Sequence, residues 1–162
     1  DAITKFENTE KKKLIFRNFA IHTNPGRRLF AQSECDKDFI DHIEYDDSKC
    51  IGDGLLSLYS DICQYKFGIS PVGNGLDCYR TWEYLYLGII PVVYDLPMNR
   101  YFARHVPMLV VPSYKILSEE MLESEYEKIK GQSWNMDFLT KSYHVEQINF
   151  DIKHLTNRNV LI

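Results

Sequence analysis

Apolar residues occur along this chain in two kinds of run. The stretches "LIFRNFAI" (14–21), "YKFGIS" (65–70), "IIPVVYD" (89–95) and "MLVVPS" (108–113) have the length of strands and no strict alternation. That pattern fits strands buried on both faces. Between them the spacing turns helical. In "GLLSLYSDICQ" (54–64), Leu55, Leu58, Tyr59 and Ile62 recur at helical intervals. "LDCYRTWEYLYLG" (76–88) predicts a helix closed by Gly88 in a left-handed C-cap. "SEEMLESEYEKIKG" (118–131) predicts one capped by Ser118, with acidic residues in its first turn. In "HTNPGRR", Asn24 is a cap and Pro25 a first helical residue, leading into a helix over "RRLFAQSECDKDF" (27–39). "DHIEYDD" (41–47) is ambiguous and includes a possible short strand, and 134–155 is expected to be helical.

Strands that alternate with helices call for crossover connections, and hence for parallel pairing with helices on both faces. The expected fold is therefore a Rossmann-like α/β domain over residues 14–155, after a polar lead-in at 1–13 and before a tail at 156–162. A length of 162 residues, with 44% hydrophobic and 14% aromatic content, suits one packed domain or one half of a two-domain enzyme. The first residue is Asp rather than Met, which reads as a processed product or an excised fragment.

Charge and composition then exclude several classes. A net charge of -4 argues against a general nucleic-acid binder, which needs a basic excess to displace counterions from phosphates. No run approaches the roughly 20 apolar residues of a membrane helix, so no membrane segment is expected in this chain. Cys35, Cys50, Cys63 and Cys78 form no C-x-x-C pair and are expected to be partly buried thiols, with disulfides as the alternative. The five histidines show no ligand spacing with them, so no metal is expected.

The candidate chemistry lies in "SPVGNGLDCYRTWEYLYLG", where a strand passes through a glycine-containing loop into a helix. Ligands of open α/β sheets gather at such carboxyl ends of strands. Gly73 and Gly75 allow close backbone approach, and unpaired amides at the helix start favour a phosphate. One reading is a dinucleotide site, because "GNGLDC" approximates G-x-G-x-x-G and Asp95 follows Gly75 by 20 residues as a ribose-binding acid. Against it, Cys78 replaces the third glycine. A second reading uses the helix face on which Asp77, Arg80 and Glu83 fall three residues apart. There Arg80 would neutralise a diphosphate and Glu83 would accept from ribose hydroxyls. A third makes the same residues only a local ion-pair ladder.

The block "SPVGNGLDCYRTWEYLYLGIIPVV" resembles the signature of exostosin-like glycosyltransferases of the GT-B fold. Gly73, Gly75, Arg80, Glu83, Gly88, Pro91 and Val92 follow in the same order. "NFAIHTNPGRR" is similar to the first strand and basic turn of the nucleotide-sugar-binding half. The resemblance implies the C-terminal, donor-binding half of such an enzyme, which would transfer a sugar from a UDP- or GDP-linked donor to a glycan or glycoprotein acceptor. No metal is implied, and an N-terminal acceptor domain would complete the cleft. By the same resemblance Arg80 contacts the donor phosphates and Glu83 the ribose. Arg28, with Arg27 as its substitute, adds charge at the diphosphate, and Asn74 and Asp77 lie near the sugar or its phosphate. Where the family often has a His before the arginine and a basic residue after Ser-Pro, this chain has Tyr79 and Val72. His22 is the candidate general base, and a non-catalytic nucleotide-sugar-binding module is the alternative to an enzyme.

Other residues carry plainer expectations. "EKKK" (10–13) is a soluble tail, "MNRYFARH" (98–105) a short helix or loop between strands, and Asp46–Asp47 an exposed turn. Tyr79, Trp82 and Tyr86 are expected to pack in the core, with Trp82 buried against the sheet.

Overall fold

Five strands form one all-parallel sheet in the order β2-β1-β3-β4-β5. They are β1 (Lys13–Arg17), β2 (Ile40–His42), β3 (Tyr65–Ile69), β4 (Ile90–Tyr94) and β5 (Leu109–Val111). The structure, a computed structural model, describes residues 6, 9–27 and 33–158. Its helices are α1 (Gly52–Ile62), α2 (Tyr79–Tyr86), α3 (Pro97–Phe102), α4 (Glu119–Lys130) and α5 (Lys141–Arg158). A Rossmann-like α/β domain is thus what the alternation of runs predicts and what the chain forms.

Register aligns Ile15 with Phe67 and Phe67 with Ile90, so the two sides of the sheet acquire separate cores. On one side Ile15, Phe67, Ile90, Val92, Leu109 and Val111 pack with Leu122 and Ile129 of α4. On the other, Phe16 meets Leu58, Tyr59 and Ile62 of α1 and Tyr84 of α2. Leu85 and Val93 join Val106 and Phe138 further along that side. Burial on both sides is why these strands lack the alternation of a half-exposed sheet.

The helix ends follow local chemistry. Asn24 Oδ1 accepts from Gly26 N at 2.9 Å, and helical structure begins at Pro25, as the Asn-Pro pair predicts. Ser118 caps α4 by accepting from Met121 N. Gly88 takes φ 64° after α2, the left-handed conformation that glycine adopts without strain. Asp46 caps a short 3-10 turn at Asp47–Cys50, in keeping with an exposed turn. Residues 98–105 belong to α3 and the turn after it. Cys35, Cys63 and Cys78 are free thiols, the first two buried.

Several expectations shift. β1 stops at Arg17, short of residue 21, because Asn18 turns its side chain to the backbone of Ile43 and Glu44. α2 begins at Tyr79 and not at 76, which leaves Asp77 in the loop. The basic lead-in is no solvated tail: Lys11 Nζ donates to Cys63 O at 2.6 Å and Leu87 O at 2.8 Å, and β1 begins at Lys13. Tyr79 and Tyr86 are exposed. Trp82 is half-buried rather than fully buried, with its ring edge-on to Phe102 at 5.0 Å and packed on the cluster that includes Val93 of β4. The 134–155 segment divides into a 3-10 turn at Met136–Leu139 and α5. No helix among the described residues is long and apolar enough to cross a membrane.

α2 sits close to β3 because Gly68 has no side chain. A Cβ there would lie 2.5 Å from the ring of the fully buried Tyr84. Gly68→Ala should therefore destabilise the domain by about 1–3 kcal/mol in denaturant melts. The penalty should shrink in a Tyr84→Leu background, where the obstructing ring is gone. A second prediction concerns pH. Burial lowers the Lys11 pKa from 10.5 to about 8, with Cys63 opposing the shift. Between those values the unfolded chain holds a proton that the folded one has lost, so raising pH favours folding through this group. The stability of wild type minus that of Lys11→Met should thus increase from about pH 8 to about pH 10.5.

Candidate functional site

Strand order reverses between β1 and β3, since the chain adds β2 on one side of β1 and β3 to β5 on the other. Loops leaving the carboxyl ends of β1 and β3 therefore run to opposite sides of the sheet and part, which opens a crevice there. A cleft of about 460 Å³ occupies that position. Its volume falls in the range of small-molecule sites, roughly 300–1,000 Å³. Residues 18–20 and Thr23 form the β1 side, Tyr45 and Leu55 an outer wall, and 73–75 with 77–80 the β3 side, with Glu83 beyond.

Arg27 fastens the two sides together. It is 6% exposed, and its Nε donates to Val72 O at 2.8 Å. Nη2 donates to Pro71 O at 3.1 Å and to Cys78 Sγ at 3.4 Å, and Nη1 to Ala20 O at 3.4 Å. Asn24 Nδ2 adds a bond to Gly73 O at 2.8 Å. Glycine at 73 serves this clasp, because a Cβ would lie 3.0 Å from Arg27 Nη2. Neither Gly73 nor Gly75 has positive φ, so close approach rather than a left-handed turn explains the first of them.

α2 delivers the charged face. Thr81 Oγ1 and Ser70 Oγ are 2.7 Å apart and buried, which ties the first turn of α2 to the end of β3. With Tyr84 and Leu87 fully buried on the sheet, Arg80 and Glu83 turn toward the cleft. Arg80 Nη1 and Glu83 Oε2 are 2.5 Å apart, with side-chain exposures of 11% and 27%. Burial opposes the charge on Arg80, but Tyr84, Glu83, Tyr59 and Cys78 outweigh it, and its pKa lies above the ordinary arginine value. Burial, then the Glu83 carboxylate, pushes the Tyr59 phenol up to about 12 against the pull of Arg80. The N-cap Cys78 makes no side-chain capping bond, and Cys78, Tyr79 and Arg80 line the cleft, so the start of α2 brings its partial positive charge there, with Thr81 N already bonded to Cys78 O at 2.9 Å.

Of the expected donor-binding residues, Arg27, Gly73, Asn74, Gly75, Asp77, Arg80 and Glu83 all line this cleft. Arg28 lies outside the described residues. Arg27 brings charge to the site, yet most of its donors are committed to backbone, so it positions loops rather than offering a free fork. His22 sits in the turn after β1 with its ring 6.3 Å from that of Tyr45, and is not among the lining residues. Asp95 is bound to Arg100 by two hydrogen bonds and lines no part of the cleft, which removes the ribose acid of the dinucleotide reading. The ion-pair ladder exists between Arg80 and Glu83, but it faces a concavity.

Asn18, Thr23, Tyr45, Leu55 and Tyr79 line the cleft without having been singled out for it. Only Asn18 leaves a trace in the sequence, as a polar residue inside an apolar run. Tyr79, 88% exposed at the rim, offers a ring face for stacking. Among the described residues no group of three or more His, Cys, Asp or Glu is placed to hold a metal ion. No family model matches the chain, and no curated protein matches it significantly.

Replacing Arg27 by Met would strand carbonyl oxygens of both loops and leave no cation between them. A loss of about 2–4 kcal/mol in stability is expected from urea melts.

Proposed function

We propose that this chain is the nucleotide-sugar-binding domain of a glycosyltransferase of the GT-B type. The observation that carries the reading is the Arg80–Glu83 couple, held on the first turns of α2 and facing a nucleotide-sized cleft where strand order reverses. A diphosphate would lie against Arg80 and the start of α2, with Arg27 contributing charge from behind. Glu83 would accept from ribose hydroxyls, relinquishing part of its contact with Arg80. The donor is a UDP- or GDP-linked sugar, and the acceptor a glycan or glycoprotein hydroxyl presented by a second domain.

In the transfer, the acceptor oxygen bonds to the anomeric carbon while the bond from that carbon to the diphosphate oxygen breaks. Negative charge grows on the leaving diphosphate, so the cationic end of the cleft stabilises the transition state more than the ground state. His22 lies off the cleft lining, and a base to take the acceptor proton is sought on the acceptor domain.

Isothermal titration with UDP, GDP and NAD tests the reading. Arg80→Ala should weaken UDP or GDP binding at least about 30-fold, with circular dichroism unchanged. Identical isotherms for variant and wild type would remove the proposal. Sugar transfer, assayed with and without an acceptor-binding domain, separates an enzyme from a binding module.

A further inference from the structure

Tyr79 is the first residue of α2, lines the cleft, and is 88% exposed. Its side chain makes no hydrogen bond or ring contact among the described residues. A large aromatic ring left in water at the mouth of a cleft is apolar surface that folding does not bury, and a ligand that covers it gains that burial. Asp77, in the loop just before α2, is likewise exposed and part of the lining. Its Oδ1 stands beside Gly75, where a Cβ would lie 3.4 Å away, and its carboxylate has no hydrogen bond or ion pair among the described residues. An unpaired carboxylate repels a diphosphate and accepts from neutral hydroxyls.

Covalent order decides which part of a nucleotide sugar reaches this end of the cleft. Tyr79 and Glu83 are four residues apart on α2, so they share one helix face and lie about 6 Å apart along the axis. Side chains lean toward the helix start, which carries the Tyr79 ring further from Glu83 and toward the loop that holds Asp77. With ribose at Glu83 and the diphosphate at Arg80 and the start of α2, the base extends away past Glu83. The sugar, joined to the other end of the diphosphate, falls over Tyr79 and beside Asp77. One face of a pyranose presents C–H groups with weakly positive hydrogens, the complement of the electron-rich face of a phenol ring. Hydroxyls stand around its edge, where a carboxylate meets them.

Resting on the nucleotide-sugar reading above, we propose that Tyr79 is a specificity-determining residue on which a C–H face of the donor pyranose stacks, with Asp77 accepting from a hydroxyl at the edge of the ring. The exposed tyrosine thus reads the sugar, while Arg80 and Glu83 hold the nucleotide.

Titration of wild type, Tyr79→Ala and Tyr79→Phe with UDP, UDP-glucose, UDP-galactose, UDP-N-acetylglucosamine, GDP and GDP-mannose tests this, with folding checked by circular dichroism. The quantity read is the Kd of the sugar nucleotide that wild type binds most tightly, divided by the Kd of its bare diphosphate. That ratio should rise about fivefold in Tyr79→Ala and stay within about twofold in Tyr79→Phe, which keeps the ring. An unchanged ratio in Tyr79→Ala overturns the assignment of Tyr79 alone, whether both affinities fall together or neither moves. A rise in Tyr79→Phe as large as in Tyr79→Ala gives the effect to the hydroxyl and overturns the stacking. Binding of the bare diphosphates with no sugar nucleotide bound also overturns the assignment. Absence of binding by every one of these ligands overturns the nucleotide reading and this assignment together.

Discussion

The guanidinium of Arg27 stands where the loops leaving β1 and β3 come nearest to each other, and the shape of the cleft depends on it. Each loop alone is a short irregular segment with carbonyls to satisfy. Bonds from one side chain to Ala20 on the first loop and to Pro71 and Val72 on the second hold both at a set separation. The charge is kept in a buried place by carbonyl dipoles, and that is costly enough to need several of them. Gly73 completes the arrangement by leaving room for the clasp.

A second constraint sets the rotation of α2. Turning a helix by one residue swings every side chain through about 100°. Tyr84 over Gly68 and Thr81 against Ser70 fix that angle from two independent contacts, one apolar and one polar. Arg80 and Glu83 owe their place in the cleft to these contacts rather than to each other. A buried Arg–Glu pair is poor evidence of stabilisation, since desolvation offsets much of its attraction. The pair lines a concavity and is not enclosed in the core.

The cleft also has a division of labour. Positive potential collects at the start of α2 and around Arg27, while Glu83 brings a carboxylate to the lining. Tyr45, Leu55 and Tyr79 supply apolar surface between and beside them.

The order of strands and helices was legible from run length and spacing, as were the caps at Asn24, Ser118 and Gly88, because such signals act between residues a few positions apart. Arg80 and Glu83 were legible too, since one helical turn relates them. The ends of β1 and α2 were not, because the bonds that stop β1 come from residues some 25 positions away. For the same reason Lys11 looked like a solvated tail while its partners, Cys63 and Leu87, lay far along the chain. Trp82 and Tyr79 have equally aromatic character in the sequence, and only the packed angle of α2 half-buried the first and left the second at the rim. The sequence by itself thus determined the α/β class and the residues of one helix face. The tertiary structure decided which loops meet, which arginine is spent on backbone, and that Asn18 keeps an unpaired oxygen, since each depends on contacts between distant segments.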